Sequence, residues 1–332
     1  MNVPIEIPTD RINEEIRKRG AKRILIQAPN GIKTALSRCL PLIQSETGAT
    51  TILHGESCFG ACDLACVDAG YLGVDLVIHL GHTPLPGQGK GENLVFLDVY
   101  DEVNFEESLL SEILALTEGR TLGLAASTQY LGLLRRLRKT LEANHRRVMV
   151  GLPISKGLQP GQILGCDVSA AKNIASGVDG FLVVGGGVFH GLGVALWTGT
   201  ETWVADPYRD ALVDVSTMAR KKLRLIAAKI DEANGAETFG VILGIKEGQR
   251  NLRQFSRMTE ELRGMGKTVI ELAMREVEPE KLRYYGWIDC FFQTLCPRIS
   301  IDEIERYEAP MLSYEQFLIA RGEKRFEEVY PC

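Results

Sequence analysis

AKRILIQAPNGIKTALSRCL, residues 21–40, places a short apolar run, a Pro-Asn-Gly turn and an amphipathic helical pattern in succession. The same grammar returns in GRTLGLAASTQYLGLLRRLRK (119–139) and in AETFGVILGIKEGQRNLRQFSRM (236–258). Each copy is followed by a second apolar run: ATTILHG (49–55), RRVMVGLP (146–153) and KTVIELA (267–273). A third run then enters by a similar step, in VDLVIHLGHTPLP (74–86), VDGFLVVGGGVFHG (178–191) and WIDCFFQTLCPR (287–298). Fourth runs are NLVFLDVY (93–100) and ETWVADPY (201–208). The runs are almost continuously apolar rather than alternating, which marks strands buried on both faces of a parallel sheet. Strands alternating with helices imply right-handed crossovers. The expected fold is therefore α/β, with three related small domains of parallel sheet flanked by helices, near residues 1–104, 105–213 and 214–332. They are expected to pack with approximate threefold symmetry around a shared centre, and loops at the carboxyl ends of the strands are where such folds take ligands.

Composition narrows the function. The chain has 332 residues, 45% apolar and 24% charged, ordinary for a globular protein and unlike a disordered or coiled-coil one. A net charge of −5 gives no reason to expect a broad nucleic-acid surface. No apolar run reaches the roughly 18–20 residues that span a bilayer. The segment MNVPIEIPTDRINEEIRKRG (1–20) lacks the apolar core of a signal peptide, so a cytoplasmic protein without membrane contact is expected.

Eight cysteines stand at 39, 58, 62, 66, 166, 290, 296 and 332. In a reducing compartment they are core residues, metal ligands or nucleophiles rather than disulfides. Three lie at predicted strand mouths. Cys62 precedes Asp63, read as the N-cap of a helix over 64–69, and Cys166 precedes Asp167 at another helix start. The positive end of a helix favours thiolate, the form that binds metal. Cys296 precedes Pro297, which halts its strand. One such cysteine per domain suits a 4Fe–4S cluster with one iron left open. Zinc is the competing metal, weakened because no histidine stands beside these cysteines at zinc-finger spacing. Cys58, Cys62 and Cys66 also form C-x3-C-x3-C, which leaves a local three-cysteine cluster open as a second arrangement. Packing is the preferred reading for Cys58 and Cys66. Cys39 and Cys290 read as core, and Cys332 carries no inferable role.

GACD (60–63), GQILGC (161–166), GGGVFHGLG (185–193), DPY (206–208) and LCPR (295–298) stand in the order and approximate spacing of a known family. Together with AKRILIQAPNG and IKEGQ they make nearly the whole chain resemble the archaeal diphthamide synthesis enzymes, the 2-(3-amino-3-carboxypropyl)histidine synthases. The resemblance implies a homodimer whose subunits each hold a 4Fe–4S cluster through one cysteine per domain, which falls here on Cys62, Cys166 and Cys296. It implies S-adenosylmethionine as co-substrate, cleaved between sulfur and the methionine γ-carbon after electron donation from an unidentified donor. It implies transfer of the 3-amino-3-carboxypropyl radical to C2 of a histidine imidazole in translation elongation factor 2. Cys58 and Cys66 depart from that pattern.

Candidate contacts to S-adenosylmethionine follow from position. Gly185, Gly186 and Gly187 end a strand without side chains and are read as a pocket wall. They do not form the dinucleotide G-x-G-x-x-G with its helix and acidic partner. His190 is a donor to the ligand or a loop residue bonded internally. His82 and Gln249 occupy corresponding strand ends and suit the methionine amino and carboxylate groups. Arg298 pairs with that carboxylate in one reading and forms a salt bridge within the protein in the other. Asp206 holds ribose hydroxyls in one reading and starts a helix in the other, which is preferred, and His54, His79 and His145 receive no role. The alternative function is a quinolinate synthase-like, cluster-dependent dehydratase; a cluster-bearing scaffold without catalysis is a third. GQILGC with LCPR favours the diphthamide pattern over the dehydratase, and the presence of all three cluster cysteines argues against the scaffold.

Overall fold

The computed structural model describes residues 5–85, 88 and 93–331. Among them are three separate sheets in which every paired strand given a register runs parallel. The first contains β1 (Arg23–Gln27), β2 (Thr50–Leu53), β3 (Leu76–Leu80) and β4 (Leu94–Leu97), in the order β2-β1-β3-β4. The second contains β5 (Thr121–Ala126), β6 (Arg147–Met149), β7 (Gly180–Val184), β8 (Thr202–Asp206) and β9 (Ala211–Asp214), in the order β6-β5-β7-β8-β9. The third contains β10 (Thr238–Gly244), β11 (Thr268–Met274), β12 (Cys290–Gln293) and β13 (Met311–Ser313), in the order β11-β10-β12-β13. Helices connect the strands, as the alternating pattern predicts. None of the described helices is long and apolar enough to cross a membrane.

The central strands β3 and β7 are buried along their whole length, as continuous apolar runs require. The second run of each copy behaves differently. β2, β6 and β11 lie at sheet edges and keep half-exposed residues, which explains why KTVIELA tolerates Glu271. β9 and β13 have no counterpart among the apolar runs read from the sequence.

One device repeats in all three sheets. The aspartate at the step into the third strand, Asp75, Asp179 or Asp289, turns its carboxylate onto the backbone N–H that opens the first strand. Asp75 accepts from Lys22 and Arg23 at 2.8 Å, Asp179 from Thr121 at 2.7 Å, and Asp289 from Glu237 and Thr238 at 3.0 and 2.8 Å. Each aspartate N–H answers with a bond to the opposite strand, to Arg23, Thr121 or Thr238. A second pairing recurs in two sheets, where Gly123 faces Phe181 and Gly240 faces Phe291 across the central strands. A Cβ on either glycine would meet that ring at 2.4 Å.

The clamps carry a pH dependence. N–H donation from Arg23 and then Lys22 holds Asp75 below its ordinary 3.8, and the Thr238 hydroxyl with the Thr238 and Glu237 N–H groups does the same for Asp289. A depressed folded value means stability that is present above the unfolded value and lost as pH falls through the folded one. Asp289→Asn is therefore expected to lower the thermal midpoint at neutral pH, with the gap to the parent closing in acid below about 3.8. Midpoints measured along a pH series check this, and a gap that widens in acid contradicts it.

The chain divides into two compact units, Met1–Gly191 with Thr202–Val213, and Leu192–Glu201 with Asp214–Cys332. The first holds two of the sheets and the second holds the third. Most of the helix Phe189–Thr198 counts with the second unit, where Gly193 and Trp197 pack against Arg298.

Candidate functional site

Cys62 lies in the loop between β2 and the helix Cys66–Leu72. The expected helix over 64–69 begins two residues later, so Cys66 rather than Cys62 occupies its first turn, and Asp63 does not cap it. The loop is pinned on both sides of Cys62. Gln88 Nε2 donates to the Ala61 carbonyl at 2.8 Å, and Gln27 Nε2 donates to the Asp63 carbonyl at 2.7 Å. Gln27 ends β1 and is 1% exposed. Its Oε1 accepts from Ala65 N at 3.1 Å and faces His79 Nδ1 at 2.9 Å. Because Oε1 already accepts a backbone N–H, it is an acceptor toward His79, and His79 Nδ1 carries the hydrogen. His79 Nε2 is then the lone-pair nitrogen, and it accepts from His82 Nδ1 at 2.9 Å. Burial lowers His79 to about 3, with His82 beside it adding to the effect, and burial lowers His82 to about 4. Both imidazoles are neutral at pH 7.

The next residue joins this loop to the second sheet. Thr83 Oγ1 accepts from Gln162 Nε2 at 2.7 Å, and the same amide donates to Thr128 Oγ1 at 2.8 Å. Gln162 is fully buried and stands four residues before Cys166. Its neighbour Ile163 bonds the end of β5 through Ala126, also at 2.9 Å. On the other side of Cys166, Asp167 accepts from Ser169 N at 2.8 Å and from the Ser155 hydroxyl, which opens the helix Ser169–Lys172. Cys166 itself is exposed. Hydrogen bonds from Gln27 through His79 to His82, and from the adjacent Thr83 to Gln162, thus link the loops of Cys62 and Cys166.

In the third sheet β12 ends at Gln293, three residues before Cys296, so Pro297 does not end the strand but precedes the short helix Ile299–Asp302. Gln293, 1% exposed, donates to the Cys296 carbonyl at 3.1 Å and to Ser300 Oγ at 3.0 Å. Its buried Oε1 has no hydrogen-bond partner among the described residues, nor has the buried Ser127 hydroxyl after β5. Arg298 is buried, and its fork grips Asp302 through Nε at 2.5 Å and Nη2 at 2.6 Å, above the Trp197 ring. The salt-bridge reading of Arg298 is the one this geometry supports. Gln249 sits half-buried in the single turn Glu247–Gln249. Nearby Lys246, 5% exposed, pairs with Glu276 at 3.1 Å, a buried charge that sequence reasoning missed.

The glycine-rich stretch is braced from within its own sheet. Gly185 N bonds Ala205 O at 3.2 Å, Gly186 N–H bonds the Tyr130 hydroxyl oxygen, and Gly187 N donates to Asp206 Oδ2 at 2.8 Å. Asp206 also accepts from Tyr208 N and Arg209 N, so it organises this turn and starts no helix. Gly187 has φ +84°, a conformation that needs glycine. His190 lies in the first turn of the helix Phe189–Thr198, edge-on to Phe189, rather than in the loop. A Cβ on Gly186 would sit 2.8 Å from Tyr130 Oη and 3.2 Å from the Tyr208 ring. On the reading of these glycines as a wall of an S-adenosylmethionine pocket, Gly186→Val is expected to displace the tyrosines and weaken cleavage of that co-substrate at unchanged iron content, as measured by product yield per iron. Loss of iron in that variant would contradict the placement.

The other cysteines divide by burial. Burial pushes the Cys58 thiol up to about 12 and the Cys290 thiol well above its usual range. Cys39 packs beside the core of the first sheet, and Cys332 lies outside the described residues.

The model of the diphthamide synthesis protein family matches residues 28–331. The chain belongs to that family. It is 32% identical to the 2-(3-amino-3-carboxypropyl)histidine synthase of Pyrococcus horikoshii, across 98% of this chain and 94% of that one. It is 28% identical to subunit 1 of the Caenorhabditis elegans synthase, across 94% of this chain and 78% of that one. Its structure superposes on the crystal structure of Dph2 from Pyrococcus horikoshii with a 4Fe–4S cluster at a TM-score of 0.84, with 30% identity and coverage of 98% and 94%. Gln27 and His79 are the buried, mutually bonded polar residues beside the Cys62 loop that sequence reasoning passed over. Their signal was a polar side chain at or next to the end of an otherwise apolar buried strand.

Proposed function

We propose that this protein is a 2-(3-amino-3-carboxypropyl)histidine synthase, which transfers the 3-amino-3-carboxypropyl group of S-adenosylmethionine to C2 of a histidine in translation elongation factor 2. The observation that carries the reading is that Cys62, Cys166 and Cys296 each stand on a loop at the carboxyl end of a parallel sheet, with buried Gln27 and Gln293 bonding the loops of Cys62 and Cys296 and buried Gln162 anchoring the loop of Cys166 on Thr83. We assign these three thiols as ligands of a 4Fe–4S cluster. The donor set fits: three soft sulfur ligands that keep some access to solvent. When bound and reduced, such a cluster supplies the electron that splits a sulfonium carbon–sulfur bond.

The protein's own residues set the geometry. The neutral His82, held by His79 and Gln27, offers a polar contact without a competing charge. Ser127 Oγ and Gln293 Oε1 are buried polar atoms left for a ligand or water to satisfy. The glycine turn lets a ligand approach the backbone, and Gln249 remains a candidate contact for the methionine end. The enzyme works as a homodimer and takes its electron from a separate donor. Anaerobic reduction in the presence of S-adenosylmethionine is expected to yield methylthioadenosine and, with elongation factor 2 added, a modified histidine. Deoxyadenosine as product would overturn the choice of bond, and an intact co-substrate would overturn the reaction class.

A further inference from the structure

We propose that Cys58, His79 and His82 form a mononuclear site for zinc or a similar borderline divalent cation, distinct from the three cysteines assigned to the cluster. One ligand atom from each residue lies within 4.8 Å of the others. Cys58 and His79 are buried and His82 is half-buried, so two donors are fixed in the interior and the third faces the side from which a metal and a fourth, water ligand enter. One sulfur and two imidazole nitrogens with an open fourth position is a donor set that tetrahedral zinc accepts.

The surrounding bonds suit a metal ligand. In metal sites a ligating histidine usually gives its other ring N–H to a carbonyl or carboxylate, which fixes the tautomer and the ring plane. Gln27 Oε1 does this for His79 at 2.9 Å and is itself held by Ala65 N. His79 Nε2 therefore points its lone pair at the neighbouring donors. His79 Nε2 and His82 Nδ1 are 2.9 Å apart and share one hydrogen. Two nitrogens on a tetrahedral zinc at about 2.0–2.1 Å stand roughly 3.3 Å apart, so the rings separate by a fraction of an ångström on binding. The shared hydrogen moves to His82 Nε2, and the Cys58 thiol proton leaves to solvent.

Such a site clamps the loop of Cys62. Cys58 lies four residues before Cys62, and Gln27 already grips Asp63 after it. The metal joins β3 to the start of this loop while Gln27 joins β1 to its end. The metal site stands on its own geometry, and only the iron readout of its test rests on the proposed cluster.

The test uses the full chain loaded anaerobically with its cluster, given zinc alone and then dialysed. X-ray absorption at the zinc edge reads zinc apart from iron. The expected result is about one retained zinc per chain, with one sulfur at about 2.3 Å and two nitrogens at about 2.0–2.1 Å. Cys58→Ser is expected to remove the sulfur shell while the iron content stays constant. Gln27→Leu is expected to weaken zinc binding on the order of 10–100-fold. Zinc lost on dialysis, a sulfur-only shell, or an unchanged spectrum in Cys58→Ser overturns the site. So does loss of iron in that variant, which would place Cys58 on the cluster. If Cys58→Ser does not fold, the ligand shell of the parent decides.

Discussion

Cys62→Ala, Cys166→Ala and Cys296→Ala are each expected to abolish the iron–sulfur chromophore and S-adenosylmethionine cleavage, while Cys58→Ala and Cys66→Ala retain both. With three protein thiolates on a cluster, removing one would leave two of its four irons without a terminal protein ligand. The rate loss is expected to approach the full catalytic effect, because the electron has no other source. Cys166 discriminates best, since it lies about a hundred residues from the C-x3-C-x3-C segment. A local cluster would survive its loss. In the structure Cys58 faces His79 and His82, and Cys66 opens a helix, so the three local cysteines do not share one helical face. Iron and sulfide content of anaerobically reconstituted variants, with their charge-transfer absorption, gives the measurement. A cluster that persists without Cys166 and Cys296 but fails without Cys58 and Cys66 refutes the assignment.

Much of this was legible in residues 21–40 and their two echoes. Continuous apolar runs separated by helical patterns leave few options besides parallel sheets, and the VD, VD and ID steps before the third strands proved to be the clamps that repeat in all three. The same strand-end reading singled out Cys62, Cys166 and Cys296, although β12 ends three residues before Cys296 and no helix starts at Asp63. What stayed hidden was the choice of partner. Gln27 and His79 look like interruptions of RILIQ and LVIHL, and only the β1·β3 register, which sets Gln27 against His79, shows that they bond each other. Nothing in the local sequence tells the edge strands β2, β6 and β11 from central ones, because position in the sheet is a tertiary property. Arg298 is the opposite case. Its pairing with Asp302 was readable from i,i+4 spacing, which local helix geometry enforces whatever ligand is present.

Gly151→Ala is expected to be among the most damaging single-methyl additions in the chain. Gly151 follows β6, and a Cβ there would stand 1.8 Å from the Ala170 carbonyl oxygen and 2.9 Å from its carbon. The obstacle is backbone of the helix Ser169–Lys172, so no rotamer change relieves it. Gly151 cannot retreat easily either. Its carbonyl accepts from Gly161 N at 2.8 Å, and Gly161 O accepts from Ala126 N at 3.0 Å at the end of β5. Relief therefore comes from the short helix moving by an ångström or more, and Cys166 sits three residues before that helix. Overpacking of this kind costs about 1–3 kcal/mol or more, so the thermal midpoint is expected to fall by several degrees. A misplacement of about 1 Å at a reacting centre costs on the order of 100-fold in rate, so cluster occupancy and cleavage are expected to fall further than stability alone explains. Gly132→Ala is the control, because a Cβ there meets only the end of the Arg136 side chain at 3.7 Å on a helix that favours alanine. Melting curves and iron content of the two variants decide the matter. A Gly151→Ala protein with parental iron content and activity would show that the Cys166 loop is not held by this contact.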